Sequence, residues 1–192
     1  MAYDITLEGK NKIITERMLE KVAKILKKCN IEHWIEGGTL LGIRRENRLL
    51  PWDNDIDFSI KSTEIPKLKK FLFLLRISGY RASLRYFSEG NPHFKTDQLR
   101  IIKIRESKYF RIKRGPVCAE IFVKYQIGDT HFWEVANKSK SVPSKFYEGF
   151  KTLPFNGYDY SVPLLTDEYL TYRYNDWQVQ VKDWNTTTDD KA

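Results

Sequence analysis

Asp53, Asp55 and Asp57 stand two residues apart in the segment WDNDIDFSI, and Ile56, Phe58 and Ile60 alternate with them. A period of two is a strand signal, because successive side chains of a strand point to opposite faces. The segment is therefore read as a strand over Asp55–Ile60. Its apolar set faces a core, Asp55 and Asp57 share the other face, and Asp53 lies just outside the strand. Like charges this close repel, and they persist at low cost only in water or around a cation. Two or three carboxylates on one edge make an oxygen-rich site suited to a hard cation such as Mg2+. The run DNDIDFSIKSTE also matches part of a calcium-binding EF loop. However, Phe58 stands where the sharp turn needs glycine, and Pro51 and Trp52 stand where an entering helix should run.

The flanking chain supplies the elements such a strand needs. KNKIITERMLEKVAKILKKCN carries Ile13, Ile14, Met18, Val22, Ile25 and Cys29 at helical spacing and has no internal Gly or Pro, so it reads as an amphipathic helix. IEHWIE reads as a strand broken by Gly37 and Gly38, and TLLGIRREN as a short helix. EIPKLKKFLFLLRISG reads as a helix ending at Gly79, with Pro66 in its first turn. YRASLRYF, LRIIKIR, KYFRIKR, VCAEIFVKY and THFWEV read as closely spaced strands of an antiparallel or mixed sheet. A hairpin turning at Asn156-Gly157 follows, then a short helix capped by Thr166 or Asp167. The expectation is an α+β fold, a mixed or antiparallel central sheet with helices packed against it. It forms a single domain over residues 1–185, followed by a flexible polar tail over 186–192.

Composition narrows the chemistry. A chain of 192 residues with 41% apolar and 14% aromatic residues is long and apolar enough for one folded core. Two cysteines, three histidines and no CxxC or HExxH exclude a standard zinc motif and a disulfide framework. The N-terminus is charged, and the longest apolar run, FLFLL, is too short to span a bilayer. The expectation is a cytoplasmic protein with no transmembrane segment. The net charge of +8 is concentrated between Lys61 and Arg114, with 15 Lys and Arg against 4 Asp and Glu. That stretch is either a solvated face or a complement to an anionic ligand. A basic nucleic-acid-binding module is the competing class, but no nucleic-acid motif accompanies the charge and it leaves the acids unexplained, so no nucleic-acid partner is expected.

Further candidates follow from their neighbours. Glu120 stands between Ala119 and Ile121 in an apolar strand, where a lone acid must be paired. It either meets a nearby basic residue or completes a metal site from a neighbouring strand. Arg44 and Arg48 are four apart and share a helix face. They either contact a phosphate or pair with Glu46 or the aspartates. Lys103 and Arg105 share a strand face and are weaker candidates. Trp52, and less so Trp133 and Trp177, could stack on a base or an alcohol.

Gly-Gly-Thr after a strand, then a short helix, then DIDF, resembles the DNA-polymerase-beta-type nucleotidyltransferase superfamily. More narrowly, GGTLLGIRRENRLLPWDNDIDF resembles the LicD family, which includes fukutin-type proteins. AEIFV resembles that family's acid–Ile–Phe segment, and LPFNGYDYSVP with YLTYRYNDW resembles its C-terminal signature. The likeness runs from Ile31 to Trp177 with gaps. Glu120 stands where many relatives have Asp, and Asn175 where the family usually has Gly. The resemblance implies a nucleotidyltransferase fold and a phosphotransferase that moves a phospho-alcohol, such as phosphocholine or ribitol phosphate, from a CDP-alcohol donor to a hydroxyl of a glycan or glycolipid acceptor. CMP leaves. The alternative on the same fold is a nucleotidylyltransferase that releases pyrophosphate from an NTP. The resemblance further implies Mg2+, or Mn2+ in its place, held by Asp55, Asp57 and Glu120, with Asp53 ligating directly or through water. It also implies donor phosphate cradled by Gly37, Gly38 and Thr39 at a helix N-terminus.

Overall fold

The computed structural model describes residues 5–108, 113–181 and 189–192. Helix α1 (Gly9–Lys28) leads into strand β1 (His33–Ile35), helix α2 (Gly37–Glu46) and strand β2 (Asp55–Lys61). A 3-10 segment, Ser62–Lys67, precedes α3 (Leu68–Ile77). Strands β3 (Tyr80–Tyr86), β4 (Leu99–Lys108), β5 (Lys113–Ile127), β6 (Thr130–Val135) and β7 (Lys138–Pro143) follow. The hairpin β8 (Phe150–Phe155) and β9 (Tyr158–Pro163) and helix α4 (Thr166–Tyr174) complete the order. The central sheet runs β1-β2-β5-β4-β3, and β6 and β7 extend it from the far end of β5. It is mixed: β2 and β5 are parallel, whereas the β1–β2, β5–β4 and β4–β3 pairs are antiparallel.

The register sorts the side chains into two faces. Ile56, Phe58 and Ile60 of β2 lie beside Ala119, Ile121 and Val123 of β5, which lie beside Ile104 and Ile102 of β4. These residues are all buried in one core with Met18, Leu19, Val22 and Leu26 of α1 and Phe71 and Leu75 of α3. Burial of this kind contributes about 25 cal/mol per Å² of apolar area removed from water. It fixes the register, because a slip of one residue would turn Asp55 and Asp57 into the core and the isoleucines out of it. The apolar alternation of β2 therefore sets where its acids point.

Several expectations are refined. The helix expected from Glu64 begins as a 3-10 turn and becomes α-helical at Leu68, because Pro66 has no N–H to give to an α-helical ladder. Of KYFRIKR, residues 109–112 lie outside the described residues, and its ends belong to β4 and β5. Strand β7 was not expected, because KSKSVP carries no apolar alternation; Lys140 takes an inward position there and is nearly fully buried. Residues 186–188 of the expected loose tail also lie outside the described residues. Asp190 is buried and accepts hydrogen bonds from Arg173 Nε at 3.2 Å and Nη2 at 2.6 Å. No helix among the described residues is long and apolar enough to cross a membrane.

Candidate active site

The face of the sheet opposite the isoleucine layer carries the charged residues. Lys103 of β4, Glu120 of β5 and Asp57 of β2 form one cross-strand row, and Arg105, Cys118 and Asp55 form the next. Asp53, Asp55, Asp57 and Glu120 all line one cavity of about 540 Å3, a size suited to a nucleotide-like ligand. Glu120 lines the cavity and accepts a hydrogen bond from Lys103 Nζ at 2.6 Å, so its pairing with a basic residue is met. Arg105 donates to the carbonyls of Gly115 (2.9 Å) and Pro116, so it braces the start of β5.

Helix α2 delivers the glycine pair to this cavity. A Cβ on Gly37 would stand 2.2 Å from Asp57 Oδ2, and one on Gly38 would stand 2.1 Å from Asp53 Oδ2. Gly37 also has φ of +58°, a conformation that L side chains rarely adopt. The space freed by the missing side chains is thus taken by two carboxylates lying against the first turn of a helix, where anions are favoured. Thr39, expected in the phosphate cradle, is buried, and its Oγ1 accepts the Asp57 backbone N–H at 2.9 Å. It pins α2 to β2 and sets the height of Asp57.

The electrostatics follow from crowding four acids in a poorly hydrated cleft. Burial pushes Asp53 up to about 6, against a backbone hydrogen bond from Asn54. Burial, then the charges of Asp53 and Glu120, raises Asp55 to about 8, with Lys103 and Arg105 opposing. Asp57 is raised well above the carboxylate range by burial first, then by Asp55, Asp53, Glu120 and Glu36. At neutral pH Asp55 and Asp57 therefore hold protons that a cation would displace.

The donor set fits a hard cation. Its members offer only oxygen, and no histidine, cysteine or methionine is among the described residues lining the cavity. Among the described residues the acids do not already converge as a cage of three or more ligands. Glu120 is drawn to Lys103, and Asp57 and Asp53 rest against the glycines.

Of the two readings of the arginines, Arg48 takes the pairing with Glu46, and Arg44 pairs with an aspartate outside the cluster. Arg44 makes a two-pronged pair with Asp167 of α4, both bonds 2.9 Å, and Arg48 pairs with Glu46. Neither lines the cavity; Arg45 does, held by Glu46 and by the carbonyl of Trp177 at 3.3 Å. Trp52 lies at the cavity with 47% of its surface exposed, while Trp133 and Trp177 line it as buried residues.

Sequence reasoning missed the cavity floor. Glu36, the residue before the glycine pair, is buried and accepts from Trp34 Nε1 (3.1 Å), Ser59, Tyr147 (3.1 Å), Tyr169 and Arg173 Nη1 (2.9 Å). Burial alone would raise its pKa; Lys124, Arg173 and the hydroxyls of Ser59 and Tyr169 outweigh it and hold Glu36 at about 2. Lys124 stands 3.1 Å from Glu36 Oε2, with its Nζ 3.3 Å from the centre of the Trp133 ring. The signal was present: Glu120, Phe122 and Lys124 are two apart in a strand, so the lysine shares the face of the acid.

The chain is similar to several known proteins. The family described as "LicD/FKTN/FKRP, nucleotidyltransferase domain" matches residues 30–164. Uncharacterized protein RP689 of Rickettsia prowazekii (strain Madrid E) is 32% identical over 77 residues, 40% of this chain and 29% of that protein. Ribitol 5-phosphate transferase FKRP of Mus musculus is 41% identical over 39 residues, 20% of this chain and 8% of that protein. The chain spans less than a third of the length of these curated relatives. The lincosamide antibiotic adenylyltransferase LnuA, in its lincomycin-bound crystal structure, superposes with a TM-score of 0.50 at 12% identity, covering 84% of this chain and 88% of that one. The fold is that of the nucleotidyltransferases.

Proposed function

Because this chain belongs to the LicD family, we propose that it is a metal-dependent phosphotransferase that moves a phospho-alcohol from a CDP-linked donor to a glycan hydroxyl. The observation that carries this reading is the row Asp57–Glu120, with Asp55 and Asp53 beside it, at the N-terminus of α2 in one cavity. The 39-residue likeness to a protein named a ribitol 5-phosphate transferase supports the class of group transferred.

Asp55, Asp57 and Glu120 would hold Mg2+ or Mn2+, with Asp53 a direct or water-linked ligand. A bound divalent ion neutralises phosphate charge and lowers the pKa of the attacking hydroxyl. Thr39 keeps Asp57 at its height through the backbone, and the glycine pair leaves room for the acids. Arg45, Lys124 and Arg173 are cations lining the cavity, and Trp52, Trp133 and Trp177 are planar surfaces available to a base. In the reaction an acceptor hydroxyl oxygen attacks the phosphorus that carries the alcohol, and the hydroxyl proton is released to solvent. The phosphoanhydride bond to CMP breaks, and CMP leaves with the bonding electrons.

The test is product analysis. CDP-choline, CDP-ribitol, CDP-glycerol and the four NTPs are each incubated with Mg2+ and a hydroxyl acceptor. Release of CMP from a CDP-alcohol supports the proposal. Pyrophosphate from an NTP would replace it with nucleotidylyl transfer.

A further inference from the structure

Lys124 is a buried cation that lines the cavity, and its Nζ has unfilled hydrogen-bonding capacity. It is 1% exposed, and its Nζ makes no hydrogen bond although Glu36 Oε2 lies 3.1 Å away. The reason lies in Glu36. Five side chains already donate to its two oxygens: Trp34 and Ser59 to Oε2, and Tyr147, Tyr169 and Arg173 to Oε1. A carboxylate offers about four lone-pair sites, so it has none left to align with Lys124. Arg173 is in the opposite position, with Nε and Nη2 given to Asp190 and Nη1 to Glu36 and Tyr169. Arg173 is therefore committed to structure, while Lys124, held beside Glu36 by charge at 3.1 Å, keeps hydrogen-bonding capacity to place.

A buried ammonium beside a carboxylate that is already saturated with donors gains from a further acceptor. The indole of Trp133 attracts the charge but accepts no conventional hydrogen bond. What remains is the cavity, which Lys124 lines on the same strand face as Glu120. The cavity thus has an acidic wall, Asp53, Asp55, Asp57 and Glu120, and a cationic floor. An anion seated between them would meet donors on one side and a cation-binding group on the other.

We propose that Lys124 is the oxyanion-binding residue of this cavity, its ammonium donating to a phosphoryl oxygen of the bound ligand. The class of ligand is a phosphate or pyrophosphate ester, which for the CDP-alcohol reading is the diphosphate of the donor; the proposal rests on that reading only for the nucleoside part. Burial draws Lys124 down to about 7, and a bound phosphoryl oxygen would restore the full charge. Removing the ammonium should spare the fold, since Glu36 keeps Arg173 and four other donors.

The test is calorimetric titration of Lys124→Met and Lys124→Arg against wild type with Mg2+ present. The probes are inorganic pyrophosphate, CDP-choline, CDP-ribitol and cytidine, and thermal unfolding is recorded in parallel. Lys124→Met should weaken pyrophosphate and the CDP-alcohols about ten- to hundred-fold, the range of one charged hydrogen bond, while cytidine binding is unchanged and Lys124→Arg retains most of the affinity. Equal weakening of cytidine and the phosphate probes, or no weakening, would overturn the proposal and leave Lys124 as a counter-ion to Glu36. A Lys124→Met protein that no longer folds would do the same, since it would show that Glu36 depends on it. Wild type that binds pyrophosphate through Lys124 but neither CDP-alcohol would retain the oxyanion site and refute the donor.

Discussion

Asp55→Asn should make the metal-free protein more stable while abolishing turnover. Asp55 is raised from 3.8 to about 8 by burial and by its acidic neighbours. A folded-state pKa raised above the unfolded value contributes stability that is fully present below the unfolded pKa and is lost as pH rises through the folded one. For Asp55 the loss runs from about pH 4 to pH 8. One pKa unit is worth about 1.4 kcal/mol, so the ceiling near pH 8 is about 5 kcal/mol. The asparagine amide must still be buried, which brings the net gain to about 2–4 kcal/mol. For a chain of this size that is on the order of 5–15 °C in Tm. The assay is thermal unfolding of both proteins in EDTA from pH 4 to pH 8, then with Mg2+. The difference between the two proteins isolates Asp55 from the other groups that titrate in this range. The stability of Asp55→Asn relative to wild type should be lowest at pH 4, where only the amide cost acts, and should grow to pH 8. Mg2+ should raise the Tm of wild type by mass action and leave Asp55→Asn nearly unmoved. A variant less stable than wild type in EDTA at pH 8, or one that keeps the full Mg2+ shift, would refute the reasoning.

Glu36→Gln keeps the shape of the cavity floor but leaves Arg173 and Lys124 buried without their carboxylate, and urea unfolding should show a loss of about 3–5 kcal/mol. Thr39→Val removes the acceptor of a part-buried N–H and should cost about 1–3 kcal/mol, with a lower kcat because Asp57 is no longer held at its height. Gly37→Ala must displace the Asp57 carboxylate, so Mg2+ affinity measured by calorimetry should fall at least ten-fold. Arg45→Ala should raise the KM for the donor, whereas Arg44→Ala, which removes an exposed pair with Asp167, should cost about 1 kcal/mol or less in stability and leave KM unchanged.

The parts of this site that are local in sequence were legible, and the parts made by strand pairing were not. Alternation within WDNDIDFSI placed Asp55 and Asp57 on one face because a strand has a period of two, and the structure follows it. The partnership of Asp57 with Glu120 depends on the parallel pairing of β2 with β5, two strands more than 50 residues apart, and no local pattern states a register. The arginines show the same limit. Arg44, Arg45 and Arg48 look alike in sequence, and only the position of α4 and of Trp177 decides that Arg45 reaches the cavity. The strand period put Lys124 on the face of Glu120, but its burial was not legible, because it depends on Glu36, Trp133 and Arg173 closing around it. Asp190 lay in a polar tail and gave no signal of the buried arginine it meets.

The most direct measurement is a titration of CDP-ribitol, CDP-choline and CDP-glycerol into wild type and Asp57→Asn, each with and without Mg2+. At least one CDP-alcohol should bind wild type only when Mg2+ is present, and Asp57→Asn, correctly folded, should bind none. Binding that ignores Mg2+ or survives Asp57→Asn would contradict it, as would no binding of any cytidine nucleotide by wild type.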